Sequence, residues 1–491
     1  ATAFMDVSRG FTRVVFYESQ ERGEAIRTEI SCMAGRGATK RDARLEASAA
    51  VMLERIVATR SLVVRELGGD RNGEMAAHRV LGADKMSVDT LLAPHVVRTV
   101  DAVRGRRIVA AQDTTEINFA GREARRRGLG PAGNGEAKGF FIHPVIAVDA
   151  DSEAVLGVVG AEIWTRDEAP TPEHQGRPYE DKESLRWLTG AEVAHRTLAP
   201  AAAQVIMTAD RESDIYSLFA RRPAGLDFVV RASHDRALLV EGGENATLHT
   251  APSQWEVLGH MYVAVAARGP GDKGRTACVA LKAGTVTIRR PRSSGQARDP
   301  ACLTLGLVEA REVCAGGTKP LLWRLVTTLP VATLGDAVEV VRLYRLRWRI
   351  EEVFRVLKSD GLKLEDSQIT EGRRLFKLAA LGLVAATRIL QLVDARDGSA
   401  RPATDVIDAA DIPAVAAISA SLDGKTERQR NRHAAGSLAW LAWVAARLGG
   451  WNCYYKPPGP KTMARGLDRL LERIEGFRAA HALHPPETQH V

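Results

Sequence analysis

Cysteine is scarce in this chain: five residues in 491, Cys32, Cys278, Cys302, Cys314 and Cys453, odd in number and with no CxxC pair. That excludes a disulfide framework and a zinc site of the usual spacing, and it agrees with a reducing compartment. No apolar run reaches the ~18 unbroken residues of a membrane span. The nearest, 375–393, is interrupted by Lys377 and Arg388. No basic-then-apolar leader opens the sequence, so the expectation is a cytoplasmic protein with no membrane partner. HExxH, EF-hand and P-loop patterns are missing. The single GxGxxG spacing, Gly128 to Gly133, lacks the strand-then-helix setting a dinucleotide needs. Neither an internal repeat nor a long low-complexity tract occurs, which sets aside general disorder.

What is present is globular: 45% hydrophobic and 26% charged residues over a length too great for one ordinary core. The net charge of +8 favours a polyanionic partner such as nucleic acid, though the excess is modest at this length.

Residues 1–37 show no clear period and stay unassigned. From 38 to 104 the sequence turns helical, and Lys40, Arg41 and Arg44 put a basic face on its first helix. This reads equally as a DNA-binding unit or a helical cap on the next domain. RIVAAQDTTEINF (107–119) and KGFFIHPVIAVDADSEAVLGVVGAEIW (138–164) read as buried strands, the latter two joined by a turn near 149–152. A Pro-rich charged loop, 165–181, precedes a helix near 182–198, strand QVIMTAD, a short helix and strand DFVVRA. The order describes a mixed α/β sheet with helices packed on it, over 105–235 plus 331–361. Between them, 236–330 alternates as a β-rich insertion punctuated by GPGDKG and SSG. An α-rich region, 362–491, closes the sequence.

One stretch stands out: YRLRWRIEEVFRVLKSD, 344–360. Leu346, Ile350, Val353 and Leu357 recur at the core-facing period of a helix. At about 100° per residue, Tyr344, Arg347, Glu351 and Lys358 share a stripe roughly 60° wide on the opposite side. The simplest reading is a solvated face with helix ion pairs.

Two aspartates follow apolar strands, Asp113 in AAQDTT and Asp210 in MTADRESD. Each alone reads more simply as a turn former or helix cap than as chemistry. With Glu351 they make a hard-oxygen set suited to Mg²⁺ or Mn²⁺. Two such ions about 3.5–4 Å apart serve phosphodiester chemistry, by clamping the attacking and leaving oxygens. Tyr344, Arg347 and Lys358 would then hold the phosphate backbone beside them.

These segments together resemble a bacterial DDE transposase of the insertion-sequence-four family, the group containing the transposon-five transposase. YRLRWRIEEVFRVLK matches that family's Y-x2-R-x3-E-x6-K signature; QDTTEINF and ADRESDIY match its two aspartate segments. GNGEAKGFFIHPVIAVD, AGSLAWLAWVAARLGGW and GPKTMARGLDRL resemble further blocks in family order, from about 39 to 480. The resemblance implies an RNase-H-like catalytic domain interrupted by a β-rich insertion, with helical units on either side. It implies that Asp113, Asp210 and Glu351 bind two Mg²⁺ ions, with Mn²⁺ able to substitute. It places Tyr344, Arg347 and Lys358 on transposon-end DNA, Trp323 against a flipped base and Arg231 in contact with DNA. Glu212 and Asp214 read as structural. The implied partners are double-stranded DNA, as transposon ends and target, and a second copy of the chain paired through 362–482. The implied place is the bacterial cytoplasm, at the nucleoid. Two rivals remain: an idle DNA-binding inhibitor of transposition, and a structure-specific nuclease on the same fold.

Overall fold

The computed structural model describes residues 40–119, 126–133, 135, 137–166, 182–240, 246–265, 274–291, 298–313 and 320–483. The segment 1–37, nearly all of the Pro-rich loop and most of the GPGDKG and SSG turns lie outside the described residues, as do the side chains of Lys40 and Arg41.

The described residues open with four helices: α1 (Lys40–Thr59), α2 (Val64–Gly68), α3 (Arg71–Gly82) and α4 (Val88–Ala102). Met52, Leu53, Ile56 and Val57 bury one stripe of α1, as the helical period requires. Local signals set the starts. Asp70 accepts from the Gly73 amide at 2.7 Å and Ser87 from the Thr90 amide at 3.0 Å, each a short polar side chain answering an orphan donor.

The sheet begins with β1 (Arg107–Gln112), β2 (Thr115–Asn118), β3 (Gly130–Ala132), β4 (Ala137–Asp149) and β5 (Val155–Trp164). After α5 (Leu185–Leu198) come β6 (Gln204–Ala209), α6 (Tyr216–Arg221) and β7 (Asp227–Arg231). The expected insertion contributes β8 (Gly259–Val265), β9 (Arg275–Arg289), β10 (Cys302–Glu312) and β11 (Leu322–Thr327). All eleven strands join one mixed sheet of order β2-β4-β1-β6-β7-β11-β10-β9-β8, with β3 and β5 paired to β4. The 236–330 strands therefore do not stand apart: β11 pairs antiparallel with β7, placing Leu325 opposite Arg231.

β1 pairs in parallel with β6, and β6 in parallel with β7. Both faces of β1 are covered, so its centre, IVAA, reads as an unbroken apolar run. Val109 and Ala111 enter one core, while Ile108 and Ala110 enter the other with α5 and α6 residues such as Trp187 and Phe219. The first core also receives α7 (Leu334–Leu346), α8 (Trp348–Arg355), α9 (Gly372–Ala395), α10 (Ile412–Leu422), α11 (Leu438–Leu448) and α12 (Pro460–Leu483).

By length and composition α9 is apolar enough to cross a membrane, but it is mostly buried in the protein. Its interrupting Lys377 gives its ammonium to the carbonyls of Leu81 (3.0 Å) and Ala83 (2.6 Å), at the C-terminal end of α3 where a cation is favoured. Gln391 donates to the Leu156 carbonyl at 2.6 Å, fixing α9 to β5. α9 is thus largely occupied by its own chain.

Candidate active site

Parallel pairing does the first part of the assembly. Ala111 of β1 stands opposite Thr208 of β6, so the residues after each strand, Asp113 and Asp210, emerge side by side at the carboxyl edge. That edge is where open α/β sheets place ligands. Both acids are gripped by the next amide: Thr114 N–H to Asp113 Oδ1 at 2.8 Å, and Arg211 N–H to Asp210 Oδ1 at 2.7 Å.

The sequence suggested one strand over 107–119, but the chain breaks at Asp113–Thr114. Gln112 pairs with Val145 and Thr115 with Ile142, leaving the pair opposite His143 and Pro144. Proline has no N–H to give to a neighbouring strand, so a rung is lost there.

The third acid arrives on α8. A capping box of Thr333 and Asp336 starts α7, which ends at Leu346. A single irregular residue, Arg347, separates it from α8, and the helix widens into a π turn at Val356–Asp360 that carries Lys358. Leu346, Ile350, Val353 and Leu357 are buried as their spacing predicts. The opposite stripe is solvated only at its Glu351–Lys358 end, where both side chains are partly exposed. Tyr344 is 5% exposed and Arg347 6%, because this side packs over the sheet edge. Solvent instead sees Arg345, Trp348 and Arg355, turned aside from the stripe.

The stripe meets the two aspartates directly. Arg347 Nη1 lies 2.5 Å from Asp113 Oδ2 and 3.5 Å from Glu351 Oε1. The Tyr344 hydroxyl donates to Asp210 Oδ1 at 3.4 Å. Burial pushes the Asp113 carboxyl up to about 7; Arg347 and the Thr114 amide oppose the rise, and the charges of Glu351 and Asp210 add to it. Burial also raises Tyr344, helped by Asp210 and opposed by Arg347 and Arg231. All three acids thus feel one another around a single guanidinium.

The remaining expected contacts gather at the same end. Trp323 of β11 is half-buried and meets the Tyr344 ring edge-on, centroids 5.4 Å apart. Arg231, half-buried, closes β7. Lys358 gives its ammonium to the Glu116 carbonyl at 2.8 Å and lies 3.8 Å from Glu365. Neither glutamate stands out in the sequence; Lys358 and Glu116 are more than 240 residues apart. Asp214 is structural: 2% exposed, it accepts from the Ser233 and His234 amides and from Arg236.

The donor types fit a hard divalent cation, and Asp113, raised mainly by burial against the pull of Arg347, has two like-charged neighbours whose repulsion a cation would relieve. As placed, no three of His, Cys, Asp and Glu among the described residues close on one point. The Arg347 guanidinium stands between Asp113 and Glu351 and supplies the positive charge there.

The family model for the transposase DDE domain matches residues 104–388, more than half of the chain. The match runs from the approach to β1 into α9 and takes in both strand-end aspartates and the helix bearing Glu351. With two acids at neighbouring strand ends and a third brought across them, this chain belongs to the DDE transposases, enzymes of metal-dependent phosphoryl transfer on DNA.

Proposed function

We propose that the chain is a transposase of the insertion-sequence-four kind that moves its own element by cut and paste. DNA is nicked at the element's end, and the freed 3′-OH attacks the opposite strand to leave a hairpin. The hairpin is reopened and the 3′-OH joined to target DNA. Every step is a phosphoryl transfer, so one site serves them all. The observation that carries this reading is that Arg347 pairs with Asp113 and Glu351 while its neighbour Tyr344 donates to Asp210, at the carboxyl edge of two parallel strands.

Asp113, Asp210 and Glu351 are the residues that would hold Mg²⁺, two ions in this reading, with Mn²⁺ able to substitute. Bound there, the ions supply Lewis-acid stabilisation of charge on the transferring phosphate. The chain's own cations do the rest. Arg347 neutralises two of the acids while the site waits, and exchanges carboxylate oxygens for phosphate oxygens when DNA arrives, a swap its planar fork suits. Lys358, half-exposed, and Tyr344 position the strand next to it. Trp323 and Arg231 flank the same end, where an indole face can stack a flipped base. Two copies on two DNA ends complete the assembly.

The test is a cleavage gel: purified protein, Mg²⁺ and labelled DNA spanning the element's terminal repeat, beside Glu351→Gln. Metal-dependent hairpin and strand-transfer bands, absent in the variant, are expected. Binding without cleavage would make the chain an inhibitor of transposition. Cleavage with no joined product would make it a nuclease.

A further inference from the structure

Behind Asp113 runs a hydrogen-bonded chain of side chains, Gln112 and His143 buried and Thr114 partly so. Gln112 is fully buried and His143 2% exposed. Gln112 Nε2 donates to the Trp187 carbonyl at 3.2 Å. His143 Nε2 lies 3.1 Å from Gln112 Oε1, and His143 Nδ1 lies 2.9 Å from the Thr114 hydroxyl. Burial keeps the His143 imidazole neutral, and the directions are then forced. A carbonyl only accepts, so Gln112 must turn its NH₂ to Trp187 and its oxygen to His143. Nε2 therefore carries the imidazole proton, Nδ1 is left as an acceptor, and the Thr114 hydroxyl donates to it.

Two other features keep the chain in place. Gly190 of α5 lies against the Gln112 amide so closely that a Cβ there would sit 2.2 Å from Oε1. The His143 ring meets Trp187 edge-on at 4.6 Å between centroids. The register of β1 and β2 on β4 puts Thr114 opposite His143.

We propose that Gln112, His143 and Thr114 form a positioning relay, anchored on α5, that sets the Asp113 carboxylate for its cation. This rests on the assignment of Asp113 as a metal-holding acid. The relay holds Thr114 by its side chain, and the Thr114 amide holds Asp113 Oδ1, leaving Oδ2 turned to Arg347. Gln112, His143 and Thr114 are positioning residues: they touch neither substrate nor metal. Outer partners of this kind typically contribute about 10–100-fold to metal affinity or activity.

The experiment titrates Mn²⁺ into full-length protein, following free Mn²⁺ by electron paramagnetic resonance, with a thermal melt and DNA cleavage on each sample. Thr114→Val and Thr114→Ala remove the hydroxyl, one keeping shape and one leaving the imidazole room; Thr114→Ser restores it. Expected is a loss of about 10–100-fold in Mn²⁺ affinity and cleavage rate for Val and Ala. The melting temperature should stay near that of the unaltered protein, and Ser should recover most of the loss. Unchanged affinity in Val and Ala would overturn the relay. So would a Ser variant as weak as Val, or a loss that follows the melting temperature. Asp113→Asn is the separate control. If it binds Mn²⁺ like the unaltered protein, the assignment of Asp113 itself fails and takes the relay with it.

Discussion

Asp113 and Asp210 look alike in the sequence and hold equivalent places in the fold, one residue beyond neighbouring parallel strands, each gripped by the amide of the next residue. Their surroundings differ. Asp113 sits against a guanidinium at 2.5 Å, with a largely buried amide–imidazole–hydroxyl chain behind its turn, and its carboxyl is lifted to about 7. Asp210 has a phenol at 3.4 Å, and Ser213 Oγ donates to its backbone carbonyl at 2.7 Å. The same local device thus serves a buried acid and a more open one. What a carboxylate does here is set by elements far away in sequence: α5 and β4 behind Asp113, and, in front, Tyr344 of α7 for Asp210 and Arg347 at the α7–α8 junction for Asp113.

The largest expected effect breaks the site as a whole. Asp113→Asn, Asp210→Asn and Glu351→Gln should each lower cleavage at least about a thousandfold, the several kcal/mol of charge stabilisation a metal site supplies. Cleavage rates at saturating DNA check it, and DNA affinity should change little. Next comes Arg347→Met. It strips the charge from a pair whose side chains are 7% and 15% exposed, leaving Asp113 buried beside other acids. Removing one partner of a buried pair costs about 3–5 kcal/mol, measured here by denaturant unfolding without metal.

A pH series separates the two aspartates. The folded value near 7 for Asp113 lies above the ordinary 3.8, so the fold binds that proton more tightly than the unfolded chain does. Its contribution favours the fold at low pH and is lost as pH rises from about 4 to about 7. Metal-free protein should therefore lose stability across that window, on the order of 1–4 kcal/mol. Asp113→Asn should flatten the slope, while Asp210→Asn should keep most of it. The smallest effect is expected from Gly190→Ala. Helix propensity alone would favour alanine by about 1 kcal/mol. The clash with Gln112 Oε1 should reverse the sign, for a net loss of about 1–2 kcal/mol in unfolding experiments.

Much of this is legible in local pattern. The period of Leu346, Ile350, Val353 and Leu357 marks the buried side of the helix, and apolar runs ending in aspartate mark the strand ends. Periodicity fixes which residues share a face, but not whether that face meets water or another element. For that reason Tyr344 and Arg347 are legible as a stripe and not as buried. The long apolar stretch at 375–393 is visible in the sequence; that Lys377 docks it on α3 is not, because the accepting carbonyls lie some 294 residues away. The break at Asp113–Thr114 depends on register with His143 and Pro144, which strand pattern alone does not give. The Gln112 and His143 contacts share that dependence, and no motif announces them.

Whether Asp113, Asp210 and Glu351 hold catalytic metal together is tested most directly by exchanging each in turn for cysteine and comparing Mg²⁺ with Mn²⁺ in DNA cleavage. A thiolate is a poor ligand for Mg²⁺ and a better one for the softer ion. All three variants are expected to be silent in Mg²⁺ and to recover measurable cleavage in Mn²⁺, while Asp214→Cys shows no such exchange. A variant among the three that cleaves in Mg²⁺ like the unaltered protein would contradict a shared metal site.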